Sequence, residues 1–464
     1  MLYFEYFQNY LLKELIICEK QYLEFKKYIK ENNIIFSDEL LLLVEKKIEL
    51  CKNDIDSFRL ENGFKNEILF RTLLQEISLI KTEFDWRSAA YQNSLHTNTY
   101  NLFNLDKKDV NYNRYGSKYI LKIEEYLLEL YNIPSHYRCL VTSSWMSAYS
   151  LIEWVLLRKL YHSNDTIYIP WYIYFESYEQ ISKLKSLWLK IMTWDSNSFN
   201  EEWILNYIYT NQPKFVFLDS VLNTSDSKVI DLDYIFSRLN NNYKKEIFIV
   251  TDLTMSWIDC TFTKYNNLNI LMYGSASKYL FNWLDISMMW FVFVNKNFYE
   301  YAERQRRNIW AILYDFQACC YPRIWTTFFN DRLEAINQDV ILFFNSLRNN
   351  NKINDKYKIC YAWEKLFKIW KSFWWSIITI SFIDDNLKNK ENYSNLIDLL
   401  IKEAQKMETP LIEWVSFWFS ITRISASDVM SKWEPPFLRV SIWPRYYNKI
   451  ESIIEIFTKI LINY

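Results

Sequence analysis

Residues 248–278 read FIVTDLTMSWIDCTFTKYNNLNILMYGSASK, two short β-rich runs that close on polar residues, the first on Asp252 and the second on Ser275, Ser277 and Lys278. Similar runs flank them: RCLVTS at 138–143, TIYIP at 166–170 and FVFLD at 215–219 before, MMWFVFV at 288–294 after. The segments between most of these runs are long enough for helices. That spacing predicts an α/β domain built on a mostly parallel sheet. Ligands of such sheets sit beyond the carboxyl ends of the strands, so the residues just after each run are the ones that matter.

Outside this stretch the texture changes. Residues 1 to about 85 are rich in Leu, Ile, Glu and Lys, with apolar residues at helical spacing in YLLKELIICEKQYLEFKKYI and DELLLLVEKKIELCK, which predicts a helical N-terminal extension. From about 331 to 464, long amphipathic stretches alternate with SIITISF and LRVSI, which predicts a smaller C-terminal α+β domain. The α/β domain then occupies 86–330, with an N-terminal arm over about 86–120.

Composition narrows the function. The net charge of -1 offers no basic excess to neutralise a phosphate backbone, which argues against nucleic acid as a partner. No apolar run approaches the roughly 18 residues of a membrane span, and the first residues lack the basic start of a signal peptide. The expectation is a cytoplasmic protein acting on small molecules, away from membranes. Its seven cysteines are an odd number without metal-ligand spacing, so no metal is expected.

A carboxylate at one strand end and a lysine at the next form the pair that pyridoxal 5'-phosphate requires. The lysine carries the aldehyde as a Schiff base, while the carboxylate keeps the pyridine nitrogen protonated so that the ring accepts electrons. Either residue alone is ordinary: a lysine after a strand is usually solvated, and an aspartate there usually caps a turn. A third element supports the pair. RCLVTSSWMSAYSLIEWVLL, residues 138–157, reads as strand, turn of small residues and helix, where backbone N–H groups and the helix dipole converge on an anion.

These segments, taken in order, resemble the Cys/Met-metabolism (transsulfuration) family of fold-type I pyridoxal-phosphate enzymes, which includes cystathionine gamma-synthase, the cystathionine lyases and methionine gamma-lyase. YNRYGSKYILKIEEYLLELY, residues 112–131, resembles the family's Y-x-R-x-G-N-P-T segment and the helix after it. SSWM resembles S-S-G-M, DSVLNT resembles E-x-x-x-N-P, and TDLTMSW resembles the D-N-T-F segment. SASKYLFNWLD resembles S-A-T-K-Y-x-x-G-H-x-D, SFWWSIITISF resembles G-G-x-x-S-F, and LRVSIW resembles R-x-S-x-G.

The resemblance implies a fold-type I transferase architecture with a seven-stranded, mostly parallel sheet flanked by helices. It implies Lys278 as the Schiff-base lysine and Asp252 as the pyridinium partner. Ser275 and Ser277 would bind the phosphate together with Ser144 and the backbone of Trp145 and Met146. Asn223 would contact the ring hydroxyl, and Arg439 would clamp the substrate carboxylate. In WYIYFES, Tyr172 is favoured over Tyr174 as the aromatic stacked on the ring. Tyr112 and Arg114 would complete the site of a neighbouring subunit, implying a homodimer or homotetramer. The expected activity is a lyase or γ-replacement transferase acting on cysteine, homocysteine, cystathionine or an activated homoserine. An aminotransferase on the same fold, and an inactive homologue acting as an interaction protein, remain as alternatives.

The chain departs from the family in one systematic way. It holds three glycines against twenty tryptophans, although glycine ordinarily makes up roughly 7% of residues. Trp145, Trp283, Trp374, Trp375 and Trp443 fall at or within one residue of family glycines. The expectation is that many of these tryptophans are glycines in the living protein, written as tryptophan from UGA codons, and that the structure shows strain at such sites. Smaller departures sit at Ser117, Lys118 and Thr224, where the family has Asn-Pro pairs, and at Trp283 or Leu284, where it has histidine.

Overall fold

The computed structural model describes residues 2–31, 33, 37–57, 69–70, 72–77, 80, 118–162, 165–170, 172–184, 190–194, 200–255, 257–258, 261–279, 288–313, 318, 329–369, 373–374, 376–415, 421–427, 434–442 and 450–464. The chain divides into two compact units, Met1–Lys118 with Tyr446–Asn448, and Tyr119–Arg445 with Lys449–Tyr464.

In the first unit, α1 (Leu2–Glu31) and α2 (Asp38–Asp56) form an antiparallel hairpin. Leu11, Leu15, Cys18, Tyr22, Phe25 and Ile29 bury one stripe of α1, and Val44, Ile48, Cys51 and Ile55 the facing stripe of α2. Steps of three and four residues keep each stripe on one face. Ser37 caps α2, its hydroxyl accepting the Leu40 N–H at 3.3 Å, with Asp38 and Glu39 in the first turn to complement the helix dipole. Lys26–Glu45 at 2.6 Å and Lys52–Glu19 at 2.7 Å flank the seam and fix its antiparallel register.

The second unit starts with α3 (Lys118–Leu130) and holds a seven-stranded sheet. Its strands are β1 (Tyr137–Thr142), β2 (Thr166–Pro170), β3 (Lys190–Trp194), β4 (Phe215–Phe217), β5 (Phe248–Asp252), β7 (Asn269–Ser275) and β8 (Trp290–Asn295), in the order β1-β8-β7-β5-β4-β2-β3. β8 runs antiparallel to β1 and β7, and the other pairs are parallel. Six strands therefore point the same way and present their carboxyl ends at one edge. The runs are continuously apolar because helices cover the sheet, and β4, β5 and β7 are buried along almost their whole length. Gly274 on β7 is required there. A Cβ at that position would lie 2.7 Å from Cζ of Phe291 on β8.

Helices α4 (Trp145–Trp154), α5 (Phe175–Lys183), α6 (Glu201–Asn211), α7 (Leu232–Asn242) and α8 (Lys296–Asn308) connect or follow these strands. A buried ion pair joins α3 and α8 beneath β1. Arg306 on α8 contacts Glu124 on α3 at 2.5 Å and donates to the Val141 carbonyl at 3.1 Å, while the Glu124 carboxylate accepts the Val141 N–H at 2.9 Å. Burial raises the pKa of Glu124, and the Arg306 charge acts against that rise.

The same unit carries a five-stranded sheet of order β12-β13-β14-β11-β9. Its strands are β9 (Tyr357–Cys360), β11 (Ile377–Phe382), β12 (Leu411–Glu413), β13 (Thr422–Ala426) and β14 (Leu438–Ser441). Helices α9 (Phe329–Arg348), α10 (Lys390–Lys406) and α11 (Ile450–Asn463) pack on it and on one another. A short pair, β6 (Trp257–Ile258) with β10 (Phe373–Trp374), links the segment after β5 to the segment before β11. Among the described residues, no helix is long and apolar enough to cross a membrane.

Candidate active site

The carboxyl edge of the large sheet gathers the residues singled out in the sequence. Asp252 ends β5 and is almost fully buried. Its carboxylate accepts the Thr254 N–H at 2.7 Å and hydrogen bonds from the Thr254 and Tyr273 hydroxyls. Burial raises its pKa to about 6, against the lowering effects of these bonds and of the Lys278 charge. Lys278 follows β7 on a single helical turn, Ala276–Tyr279. Burial pulls its pKa down to about 7, aided by the positive charge of Arg439 and opposed by Asp252 and Glu176. The site thus holds an amine that is substantially neutral near pH 7 beside a carboxylate that is charged there.

Arg439 comes from β14 of the smaller sheet and is buried to 3% exposure. Its Nη1 donates to Oδ1 of Asn223 at 3.2 Å and its Nη2 to the Val415 carbonyl. Burial lowers its pKa to about 10, which still leaves it cationic at neutral pH. Asn223 belongs to the turn after β4. That turn is braced from the smaller sheet: the Thr379 hydroxyl donates to the Ser225 carbonyl at 2.7 Å, and Glu434 accepts both the Ser225 N–H and its hydroxyl at 3.0 Å.

The turn between β1 and α4 has the geometry of an anion site. Ser144 is extended, at φ -156°, and its Oγ accepts the Ser147 N–H at 3.2 Å, so Trp145 and Met146 open the helix with free amides at its positive end. Ser143 is tied back by its N–H to the Ala311 carbonyl at 3.1 Å. Ser275 lies at the adjacent strand end, its N–H donating to Oγ1 of Thr254 at 3.1 Å. Ser277 is engaged differently. Its hydroxyl donates to the Met289 carbonyl at 3.1 Å and accepts the Met289 N–H at 2.8 Å, which pins the lysine-bearing turn to the start of β8.

The two candidate tyrosines separate. Tyr172 is buried, with Tyr168, Asp219 and Glu201 as the charged or polar groups acting on its hydroxyl. The charges of Asp252 and Arg439 reach the Tyr174 hydroxyl, and its ring meets Trp145 edge-on at 5.5 Å. Two residues without an assigned role in the sequence also enter the site. Glu176 hydrogen-bonds the Tyr174 hydroxyl and lies close enough to raise the Lys278 pKa. Asp219 is buried against Asp252, accepts the Tyr174 N–H at 3.3 Å and the Asp252 N–H, and burial pushes its pKa well up. Asp219 opens the DSVLNT segment, which was the available signal. Glu176 carried none beyond its place after a strand.

Tyr112, Arg114, Trp283, Trp375 and Trp443 lie outside the described residues, and of Trp374 only the backbone is described. Trp145 is 8% exposed and stacks on Tyr149 at 5.3 Å. The turn that carries it is regular, so the strain expected there is absent from the backbone. Its indole Nε1 is instead buried without a hydrogen-bond partner among the described residues. Among those residues, no group of His, Cys, Asp or Glu side chains could hold a metal ion.

No family model matches the chain. A curated relative, the bifunctional enzyme flvA of Aspergillus flavus, is 25% identical over 353 residues, 72% of this chain, and the chain spans 40% of that relative's length. The crystal structure of cystathionine gamma synthase from Xanthomonas oryzae pv. oryzae in complex with cystathionine superposes with a TM-score of 0.60 at 14% identity, covering 76% of this chain and 88% of the other. CalE6, a methionine gamma lyase from Micromonospora echinospora, superposes with a TM-score of 0.60 at 11% identity, covering 77% and 89%. The chain therefore shares its fold with these cystathionine gamma synthase and methionine gamma lyase structures.

Proposed function

We propose that the chain is a pyridoxal 5'-phosphate enzyme of the transsulfuration type, a carbon–sulfur lyase or γ-replacement transferase acting on a sulfur amino acid or an activated homoserine. One observation carries the reading: the half-buried amine of Lys278, brought to a pKa of about 7, stands with the buried carboxylate of Asp252 at adjacent strand ends. A metabolic surface lysine has no need of either property, and a lysine that condenses with an aldehyde needs to be neutral.

The residues present fit the cofactor. Free amides at the start of α4, with Ser144 and Ser275, suit a phosphate dianion. Asp252, sunk at the floor of the site, suits a protonated ring nitrogen, Tyr174 a flat ring and Asn223 a ring hydroxyl. When bound, the cofactor supplies an aldehyde and a pyridine ring that accepts electrons.

The chain's own groups then divide the work. Nζ of Lys278 takes the α-proton of an amino acid, since a base with pKa about 7 is matched to neutral pH. Arg439, pinned by Asn223 and Val415, orients the substrate carboxylate. Glu176 and the Tyr174 hydroxyl form a second proton-holding pair on the substrate side. Tyr112 and Arg114 complete a neighbouring subunit's phosphate site in a homodimer or homotetramer, and the protein is cytoplasmic. The working division of the chain is a helical extension over 1–85, a cofactor domain over 86–330 and a C-terminal domain over 331–464.

The test is to add pyridoxal 5'-phosphate to the purified protein, reduce with borohydride and map the labelled peptide. The label is expected on Lys278, and cysteine, homocysteine or cystathionine should release an oxo acid, or an activated homoserine should accept a thiol. Absence of label on Lys278 sinks the reading. Label with amino transfer to an oxo-acid acceptor and no release replaces it with an aminotransferase.

A further inference from the structure

Trp310 has a φ of 56°, in the left-handed region. It follows α8 and the cap residue Ile309, and two bonds define its turn. The Ala311 N–H donates to the Arg306 carbonyl at 3.0 Å, and the Trp310 N–H to the Arg307 carbonyl at 3.3 Å. This is a Schellman turn with Trp310 at its left-handed position. Glycine is the usual residue there, because a Cβ crowds the following carbonyl in that conformation. Packing does not account for a tryptophan, since the side chain is 61% exposed.

The turn also serves the site. The carbonyl of Ala311, which the left-handed residue aims, accepts the Ser143 N–H at the start of the turn between β1 and α4. Arg306, at the other end of the turn, holds the Val141 carbonyl. The backbone at 310 therefore fixes the segment that leads into the candidate phosphate turn.

Trp145 supplies an independent observation in that same turn: a buried indole N–H with no partner among the described residues, at the first position of α4. Gly274 supplies the contrast. Where the packed Phe291 ring leaves no room for a Cβ, this chain does place glycine, yet its 464 residues include only three.

We infer that Trp310 and Trp145 stand at glycine positions, and that the cell that makes this protein reads the UGA codons there as glycine. For residue 310 the inference rests on a left-handed backbone, which Asn, Gln, Ser and Glu also adopt elsewhere in this chain, together with the placement of an exposed tryptophan there in a chain so short of glycine. For residue 145 it rests on the reading of Ser144–Met146 as a phosphate turn, and it opens that turn to close approach by an anion.

The gene and the native protein test it together. Both codons are expected to be UGA, and the tryptic peptide that begins at Asn308, recovered from native cells, is expected to carry glycine at its third residue. A UGG codon at 310, or a UGA codon that appears as tryptophan in that peptide, overturns the inference. In the purified chain, Trp310→Gly should raise the thermal midpoint by roughly 2 °C, while Trp203→Gly, which removes a ring stacked on Tyr207 along α6, should lower it. A lower midpoint for Trp310→Gly counts equally against the idea. Trp145→Gly should tighten pyridoxal phosphate binding about tenfold or more, measured by equilibrium dialysis; unchanged affinity removes residue 145 from the inference. If neither form binds the cofactor, the functional reading fails, while the codon and peptide still decide residue 310.

Discussion

Arg439 donates to Asn223 at 3.2 Å across 216 positions of sequence, and the bond joins the smaller sheet to the turn after β4. It fixes the guanidinium plane through one nitrogen while Val415 holds the other. A lysine at this position has three donors but no planar fork, so it could not hold these partners and still present two parallel N–H groups to a carboxylate. Arg439→Lys is therefore expected to raise KM for a carboxylate-bearing substrate by about 10- to 100-fold, with a smaller change in kcat. Steady-state kinetics with whichever of the proposed amino acids the enzyme turns over would check it.

Two neighbouring tyrosines give a paired prediction. Tyr174→Leu should weaken cofactor binding by about tenfold or more, the scale of one lost ring contact, whereas Tyr172→Leu should leave it within twofold. Titration of the visible absorption of bound pyridoxal phosphate distinguishes them. The reverse order would return Tyr172 to the site.

The pH dependence has a definite sign. Lys278, with its pKa lowered to about 7, condenses with the aldehyde as the neutral amine, so the rate of adduct formation should rise roughly tenfold from pH 6 to pH 8. Asp252 raises that pKa, and Arg439 lowers it. Asp252→Asn should accordingly move the midpoint to lower pH, and Arg439→Ala to higher pH. Stopped-flow absorbance across pH 5.5 to pH 9 would read all three, and a midpoint that ignores both substitutions would show that these groups do not face the amine.

Arg306 and Glu124 make a stability prediction. Their side chains are 2% and 6% exposed, and removing one leaves the other buried without its partner. Arg306→Met should lower the unfolding free energy by about 3–5 kcal/mol, and adding Glu124→Gln should recover much of it. Urea titration of the single and double variants checks both steps.

Six of the seven strands were legible because they are short apolar runs, and β1, β5, β7 and β8 close on polar residues; β3, KIMTW, mixes lysine, threonine and tryptophan and gives no such run. Lys278 and Asp252 could be read for the same reason: strand ends are where a parallel sheet displays chemistry. WYIYFES reads in favour of Tyr172 over Tyr174, but which of two aromatics faces the site depends on how the chain leaves β2, and the residue before them, Trp171, gives no turn signal. Ser277 reads as a phosphate ligand by position, yet its hydroxyl donates its one proton to the carbonyl of Met289, twelve residues on, just before β8. Trp310 could not be read as a left-handed residue at all. Composition showed that glycine was missing, but only the two bonds of the turn show where.

The order β1-β8-β7-β5-β4-β2-β3 has a kinetic consequence. β1 is the first strand of the sheet to leave the ribosome, and it pairs only with β8, the last, more than 140 residues later. Its turn into α4 is held through Ser143 by Ala311, which is made later still. The middle strands can pair as they emerge, whereas β1 has to wait, and long-range pairings of this kind form slowly. The candidate phosphate turn can thus be fixed only after residue 311 has been made, and Arg439 joins the site later still. A nascent chain halted before residue 290 should contain the Asp252–Lys278 strand ends while Ser143 and β1 still await their partners.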